Sequence, residues 1–133
     1  MHRLFLDANV LFSAGYHHNA GLLRLWKLSH VVLCTSRYAL EEARINLEKE
    51  EQRTRLLGLS AKLQLFQAAE RELPRRIVLP VKDVPIMLAA LEVHATHLLT
   101  GDVRHFGPHF GDKIEGVLVM LPGEYLRMRD REK

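Results

Sequence analysis

Four carboxylates stand where a buried element ends or where an apolar helix face is interrupted. Asp7 and Asp102 each close a short apolar run, while Asp83 precedes an apolar helical stretch and Glu42 lies within another. Carboxylates crowded into one crevice repel each other, and a hard divalent cation relieves the repulsion by taking oxygen ligands. Such an ion can orient a phosphodiester and lower the pKa of a bound water. The sequence therefore predicts a Mg²⁺ or Mn²⁺ site built from these acids.

The helix predicted at residues 37–51 distinguishes two neighbouring glutamates. At 3.6 residues per turn, Glu41 falls in a charged wedge with Arg44, whereas Glu42 falls inside the apolar arc. An inward carboxylate is costly unless something such as a cation compensates its charge. Glu42 is therefore the candidate ligand. The structural alternative is a glutamate at the rim of a broad apolar face.

Asp83 and Asp102 each stand at a turn. Asp83 can cap the helix predicted at about residues 84–95, since Pro85 falls in the first turn, where a missing N–H does no harm. Capping does not exclude metal binding, because one carboxylate oxygen can cap while the other faces an ion. Asp102 follows Gly101, which lets the backbone turn sharply at the end of a strand.

The elements that must position these acids alternate between strands and helices. Strands are predicted at residues 3–6, 31–34, 77–79, 97–100 and 117–120; helices at about 20–28, 37–51, 54–70, 84–95 and from 121; and a frayed end at 127–133. This alternation implies a parallel, doubly wound α/β sheet. In the order 3-2-1-4-5, strands one and four are neighbours where the winding reverses and a crevice opens. Asp7 and Asp102 end those strands, so they are expected to share that crevice.

Length and composition limit the class of protein. The 133 residues fit one domain, placed at residues 1–133, and contents of 47% hydrophobic and 26% charged residues are typical of globular proteins. The apolar runs are too short for a membrane span or a secretory signal, so we expect a cytoplasmic protein. The single cysteine, Cys34, excludes an internal disulfide and a thiolate zinc site, and we expect it in the core.

The charge balance favours a polyanionic partner. The chain has 19 Lys and Arg against 16 Asp and Glu, a net charge of +3, and setting aside the four acids leaves +7 on the remainder. A basic body around an acidic, metal-filled pocket suits RNA or DNA. A mildly basic solvated surface explains the charge equally well.

Other chemistries lack their motifs. The sequence has no Ser-His-Asp set, Walker loop or dinucleotide-binding fingerprint, and its eight histidines show no HExxH-like spacing. We therefore expect His94, His97 and His105 to be packing or surface residues rather than ligands. A phosphoryl-transfer domain with Asp7 as nucleophile would need a second aspartate two positions later, as in haloacid-dehalogenase-like phosphatases. The chain has Asn9 there.

Four short motifs occur in order along nearly the whole chain. They are Leu6-Asp7-Ala8-Asn9-Val10-Leu11-Phe12-Ser13-Ala14, Thr35-Ser36 with Leu40-Glu41-Glu42, Asp83-Val84-Pro85-Ile86-Met87-Leu88-Ala89-Ala90, and Leu99-Thr100-Gly101-Asp102 with His105-Phe106. With the ending Pro122-Gly123-Glu124-Tyr125-Leu126, they resemble the PIN domain, the nuclease fold of VapC-type toxins. Each motif alone is weak, but four in order at suitable spacing are specific.

The resemblance implies a three-layer α/β/α fold around a parallel five-stranded sheet, and a Mg²⁺- or Mn²⁺-dependent ribonuclease. Its acidic set would be Asp7, Glu42, Asp83 and Asp102. Asp7 and Asp102 would be the most direct metal ligands, with the other two binding directly or through water. The resemblance also implies a cognate antitoxin and a homodimer.

Three further positions bear on the resemblance. Asn9 and Thr100 match polar positions that support the pocket, Thr100 by hydrogen bonding to an acid. Lys82 is a departure, because the third motif often carries further acids near its aspartate. This lysine either weakens the metal site or brings a cation toward the phosphate.

Two functions remain open from the sequence. The first is a metal-dependent endoribonuclease that hydrolyses RNA phosphodiester bonds, as the toxin of a toxin–antitoxin system. The second is a non-catalytic PIN-like module that binds RNA or a protein partner and keeps its acids as structure. Metal-dependent turnover distinguishes the first from the second.

Overall fold

The computed structural model describes residues 1–67 and 70–132. The strands are β1 (His2–Leu6), β2 (Val31–Ser36), β3 (Gln64–Phe66), β4 (His97–Leu99), β5 (Lys113–Ile114) and β6 (Val117–Met120). The α-helices are α1 (Ala8–Tyr16), α2 (Arg37–Asn46), α3 (Glu50–Ser60), α4 (Val84–Glu92), α5 (Val103–Phe106) and α6 (Pro122–Arg131). Segments of 3₁₀-helix cover Gly21–Lys27, Val81–Asp83 and Gly107–His109. The predicted α/β class is confirmed.

The strands of the described residues form one sheet in the order β3-β2-β1-β4-β6-β5. β1 pairs in parallel with β2 and with β4, the pairs β2–β3 and β4–β6 are also parallel, and β5 is antiparallel to β6. The winding therefore reverses between β1 and β4, as predicted. The predicted count of five strands is wrong, because the two-residue β5 is too short to show a period in the sequence.

The third strand lies at Gln64–Phe66 and not at the predicted residues 77–79. The helix predicted at 54–70 ends at Ser60, and residues 68–69 of that prediction lie outside the described residues. The three-residue strand Gln64–Phe66 continues the apolar spacing of the preceding helix, so the periodicity of the sequence does not show where the helix ends and the strand begins. The apolar signal at 77–79 reflects Ile77, which is buried in the core without strand pairing.

Three further segments differ from their predictions. The helix predicted at 37–51 is two helices, and Arg53 donates to the Leu47 carbonyl at the corner between them (2.7 Å). Residues 21–27 form a 3₁₀ rather than an α-helix. The end predicted to fray at 127 is helical to Arg131, because Tyr125 and Leu126 anchor α6 in the core; Lys133 lies outside the described residues.

The core fixes the strands that carry the site. Leu4, Phe5 and Leu6 of β1 are fully buried, and α4 is buried along nearly its whole length from Ile86 to Leu91. Burial of Cys34 raises the pKa of its thiol to about 12, so it is a protonated core residue, as expected. Within the described residues, no helix has the length and apolar character needed to cross a membrane.

Candidate active site

A cavity of about 550 Å³ opens at the carboxyl ends of β1 and β4, and all four predicted acids line it. Asp7 directly follows β1, and Asp102 follows β4 after two residues. Glu42 reaches the cavity from α2, and Asp83 reaches it from the end of a 3₁₀ turn. The topology thus brings together acids that are far apart in sequence. Their catalytic roles stay predictions.

Asp7 is held in one orientation. Its side chain is 3% exposed, and its Oδ1 accepts a hydrogen bond from the Ala8 N–H (2.6 Å), which caps α1. Its Oδ2 accepts from Thr100 Oγ1 (2.8 Å) and from Asn9 Nδ2 (3.1 Å). The sequence assigned supporting roles to Asn9 and Thr100, and the structure places both in contact with this carboxylate.

The same two polar residues tie the ends of β1 and β4 together. Asn9 Oδ1 accepts from the Gly101 N–H (2.7 Å), and Thr100 Oγ1 accepts from the Asp102 N–H (3.1 Å). A Cβ at Gly101 would lie 3.3 Å from Asn9 Oδ1, so the close approach of this backbone to Asn9 favours glycine. The positions of Asp7 and Asp102 are therefore coupled.

Burial raises the pKa of Asp7 to about 6. The hydrogen bonds from Thr100 and Ala8 oppose the rise, whereas the charges of Asp83 and Glu42 add to it. A buried carboxylate with other carboxylates nearby favours the protonated form unless a cation enters. A divalent ion nearby would therefore stabilise the ionised form of Asp7.

Asp83, Asp102 and His105 form a tight cluster beside the cavity. In the described part of the chain, one ligating atom from each lies within 4.8 Å of the other two. His105 Nδ1 is 2.9 Å from Asp102 Oδ2 and 3.0 Å from Asp83 Oδ2. The sequence predicted Asp7 and Asp102 as the most direct ligands, whereas the closest group pairs Asp102 with Asp83 and a histidine.

Asp83 is 7% exposed, and its Oδ2 has no hydrogen-bond donor among residues 1–67 and 70–132. The nearby nitrogen of His105 forms a short polar contact with this oxygen without hydrogen-bond geometry. Burial is the main cause that raises the pKa of Asp83, and the charge of Asp102 adds to it, whereas Lys82 and the contact with His105 oppose it. The capping role considered for Asp83 is wrong, because its side chain makes no capping hydrogen bond to α4.

The two glutamates of α2 behave differently, as the helix wheel predicts. Glu41 is exposed and pairs with Arg44 on the outer face. Glu42 is half-buried and lines the cavity. It lies outside the cluster of three ligating groups, in agreement with a role exerted through water or through its charge.

Lys82 lines the cavity with an exposed side chain next to Asp83. Its backbone carbonyl accepts a hydrogen bond from the hydroxyl of Tyr38 on α2 (2.8 Å). That bond fastens the 3₁₀ turn Val81–Asp83 to α2, and so relates the position of Asp83 to that of Glu42. A positively charged side chain therefore lies among the acids that line the cavity.

His105 is the site residue that the sequence reasoning missed, because it was assigned to packing or surface. The usable signal was the spacing Asp102-x-x-His105 at a helix start, where an N-cap aspartate lies beside the third residue of the helix. Asp102 Oδ1 accepts from the His105 N–H (3.0 Å), which turns the imidazole toward the carboxylate. His97, by contrast, is buried and packs against His2 and Tyr125, as expected of a packing residue.

The residues of this site fit a divalent cation. Within residues 1–67 and 70–132, the buried Asp83 Oδ2 lacks a hydrogen-bond donor, and several carboxylates line the cavity together with Lys82. Carboxylate oxygens suit Mg²⁺ and Mn²⁺, and imidazole nitrogen suits transition-metal ions. The cluster of Asp83, Asp102 and His105 is where such an ion would satisfy the most groups at once.

A scan against protein-family models gave no match to this chain, and a search of curated proteins gave none either. Among solved structures, the fold is similar to a chain in the crystal structure of VapBC2 from Rickettsia felis bound to a DNA fragment from their promoter. The two chains are 17% identical with a TM-score of 0.67, over 90% of this chain and 98% of that one. This likeness shows a VapC-like fold, which agrees with the fold that the sequence motifs imply.

Proposed function

We propose that this chain is a Mg²⁺- or Mn²⁺-dependent endoribonuclease that hydrolyses RNA phosphodiester bonds. The carrying observation is the cavity in which Asp7, Glu42, Asp83 and Asp102 converge, with the buried Oδ2 of Asp83 lacking a hydrogen-bond donor in the described residues. The net positive charge of the chain around this acidic cavity suits a polyanion. RNA is favoured over DNA by the PIN-like motifs.

Asp83, Asp102 and His105 would hold the ion, with Asp7 and Glu42 facing it across the cavity. A bound divalent ion supplies an activated water and stabilises charge on the leaving oxygen. Thr100 and Asn9 keep the Asp7 carboxylate fixed through hydrogen bonds to its Oδ2. Lys82 binds a phosphate oxygen of the substrate at the cavity mouth, so of the two roles open to this lysine we favour the contact with phosphate.

We further propose that the protein is the toxin of a toxin–antitoxin system, acts in the cytoplasm as one domain, and forms a homodimer. The fold likeness to VapBC2, whose structure was solved with DNA from the promoter, supports a cognate antitoxin as partner. Co-purification with the product of a neighbouring gene tests the partner independently of the nuclease chemistry.

The nuclease proposal is tested by incubating the purified protein with single-stranded and structured RNAs in Mn²⁺, in Mg²⁺ and in chelator. We expect cleavage that needs the metal and that falls by at least about 10²–10³-fold in Asp102→Asn. Asp112→Asn removes an exposed acid outside the cavity and is the matched control, which should retain activity. Cleavage that persists in chelator, or that survives Asp102→Asn unchanged, contradicts the proposal.

The second candidate, a non-catalytic module that binds RNA or a protein, has one observation in its favour. His105 lies between Asp83 and Asp102, where its imidazole nitrogen makes polar contacts with both carboxylates without a metal. Such a module would bind RNA equally with and without Mn²⁺ and would show no turnover. Filter binding on the same RNA panel separates the two functions.

A further inference from the structure

We propose that Nδ1 of His105 is a direct metal ligand together with Asp83 and Asp102, which makes the site prefer a first-row transition ion such as Mn²⁺ over Mg²⁺. This inference rests on the proposed metal-dependent function and specifies the ligand set of the same site. It concerns a nitrogen donor that the sequence analysis assigned to packing or to the surface.

The distances within the cluster are those of adjacent ligands around one ion. Nδ1 of His105 lies 2.9 Å from one carboxylate oxygen and 3.0 Å from the other. In an octahedral shell with bonds of about 2.1 Å, neighbouring ligand atoms are separated by about 3.0 Å. The three ligating atoms also lie within 4.8 Å of one another, so an ion can reach all of them with small side-chain adjustments.

The hydrogen-bonding capacity of the cluster does not satisfy both acids. One imidazole Nδ1 carries at most one proton, and it forms a hydrogen bond with Asp102 Oδ2. The second oxygen, Oδ2 of Asp83, is left without a donor in the described residues although the residue is 7% exposed. An unsatisfied buried carboxylate oxygen is costly, and a shared cation satisfies all three groups at once.

The backbone holds the imidazole in place before any ion arrives. Asp102 Oδ1 caps α5 by accepting the His105 N–H, and Phe106 anchors the same helix in the core with a fully buried ring. A ligand positioned in this way loses little conformational entropy on binding. Because imidazole suits transition-metal ions whereas Mg²⁺ takes oxygen ligands, this nitrogen biases the choice of metal.

Pulsed electron paramagnetic resonance of the Mn²⁺-loaded protein tests the ligand directly, with no need of nuclease activity. We expect a ¹⁴N coupling to the ion that changes to the ¹⁵N pattern in protein prepared with ¹⁵N-labelled histidine. This labelling leaves the chain unaltered, so the result does not depend on the folding of a variant. Bound Mn²⁺ without nitrogen coupling would overturn the inference and leave the nuclease proposal standing.

Two variants identify the histidine. His105→Asn puts an amide oxygen near the position of Nδ1, and should abolish the nitrogen coupling and weaken Mn²⁺ binding roughly 10–100-fold, with a smaller change for Mg²⁺. His109→Asn alters a neighbouring histidine outside the cluster and should keep both the coupling and the affinity. Coupling that survives His105→Asn would overturn the assignment. Failure of the wild type to bind Mn²⁺ at all would overturn both this inference and the proposed function.

Discussion

The two ends of β1 and β4 carry polar side chains of opposite character. At the carboxyl end, several acids share a cavity and the buried Asp83 Oδ2 has no hydrogen-bond donor in the described residues. At the amino end, His2 Nδ1 bonds with the Tyr125 hydroxyl (2.7 Å), which also accepts from Arg129 (3.0 Å). The first end concentrates like charges and leaves one buried carboxylate oxygen without a donor in the described part of the chain, whereas the second is a network of paired hydrogen-bonding groups.

The amino end continues through the backbone of both strands. Thr96 Oγ1 accepts from the Arg3 N–H (2.9 Å) and donates to the Arg3 carbonyl (3.0 Å), and His97 Nδ1 lies 2.8 Å from the same hydroxyl. Polar groups paired in this way fix the sheet, and buried groups left short of partners are where a ligand gains most. We therefore expect the amino end to contribute mainly to stability and the carboxyl end to contain the proposed catalytic site.

Substitution of Asp7 by asparagine should have the largest effect, because it should change turnover and stability in opposite directions. Turnover should be lost, while the free energy of unfolding without metal should rise by about 1–3 kcal/mol at pH 8. The gain arises because the carboxyl has a folded-state pKa of about 6 against an ordinary value of 3.8, so its ionisation opposes folding. The amide nitrogen that replaces Oδ2 would face Asn9 Nδ2, which is also a donor. The lost hydrogen bond offsets part of the gain in stability. Urea unfolding measures the difference.

The pH dependence of that gain follows from the sign of the shift. Stability due to protonated Asp7 is fully present below a pH of about 4 and is lost as the pH rises through about 6. The advantage of Asp7→Asn should therefore be full at pH 8 and small at pH 4. Asp112→Asn, at an exposed position outside the cavity, is the control. If the stability advantage of Asp7→Asn grew as the pH fell, the electrostatic difference inferred between the carboxyl and amino ends of β1 and β4 would be contradicted.

The sequence predicted the positions of Asp7 and Asp102 because both follow from one physical rule, that parallel strands end at a common edge. It also separated Glu42 from Glu41 by helix periodicity. It could not predict the contact of His105 with Asp83, since that depends on where a 3₁₀ turn docks against α2. Local spacing holds no information about such a contact.

The errors in the fold have the same origin. The strand Gln64–Phe66 has too few residues to show alternation, and its pairing with β2 comes from tertiary contact rather than from intrinsic propensity. Residues 77–79 are apolar, as in a buried strand, but they are apolar because Ile77 packs in the core. Whether a segment forms a helix or a strand was predictable where the segment was long. It was unpredictable where tertiary contacts with neighbouring elements determine the structure.

Substitution of His97 by phenylalanine tests the amino end through the opposite pH trend. Burial lowers the pKa of His97 to about 4, so the unfolded chain takes up a proton first and the folded state loses stability as the pH falls from about 6.5 towards 4. The wild type should lose about 1–2 kcal/mol from this group between pH 7 and pH 5, a loss that His97→Phe removes while it keeps an aromatic ring beside His2 and Tyr125. His18→Asn, in an exposed loop, is the control. Equal pH profiles for wild type and His97→Phe would show that the ring does not titrate as a buried group.

Substitution of Tyr125 by phenylalanine should have the smallest effect on stability. It should also show the clearest contrast with the carboxyl end, because it should leave RNA cleavage unchanged. It removes a hydroxyl that partners both His2 and Arg129, and should cost about 0.5–1.5 kcal/mol of unfolding free energy in urea. RNA cleavage per folded molecule should be unchanged, because the network lies at the opposite ends of the strands from the cavity. Tyr16→Phe, at an exposed tyrosine, should change neither quantity. If Tyr125→Phe lowers turnover while stability is unaffected, the two ends are not independent, and the amino-end network takes part in positioning the acids.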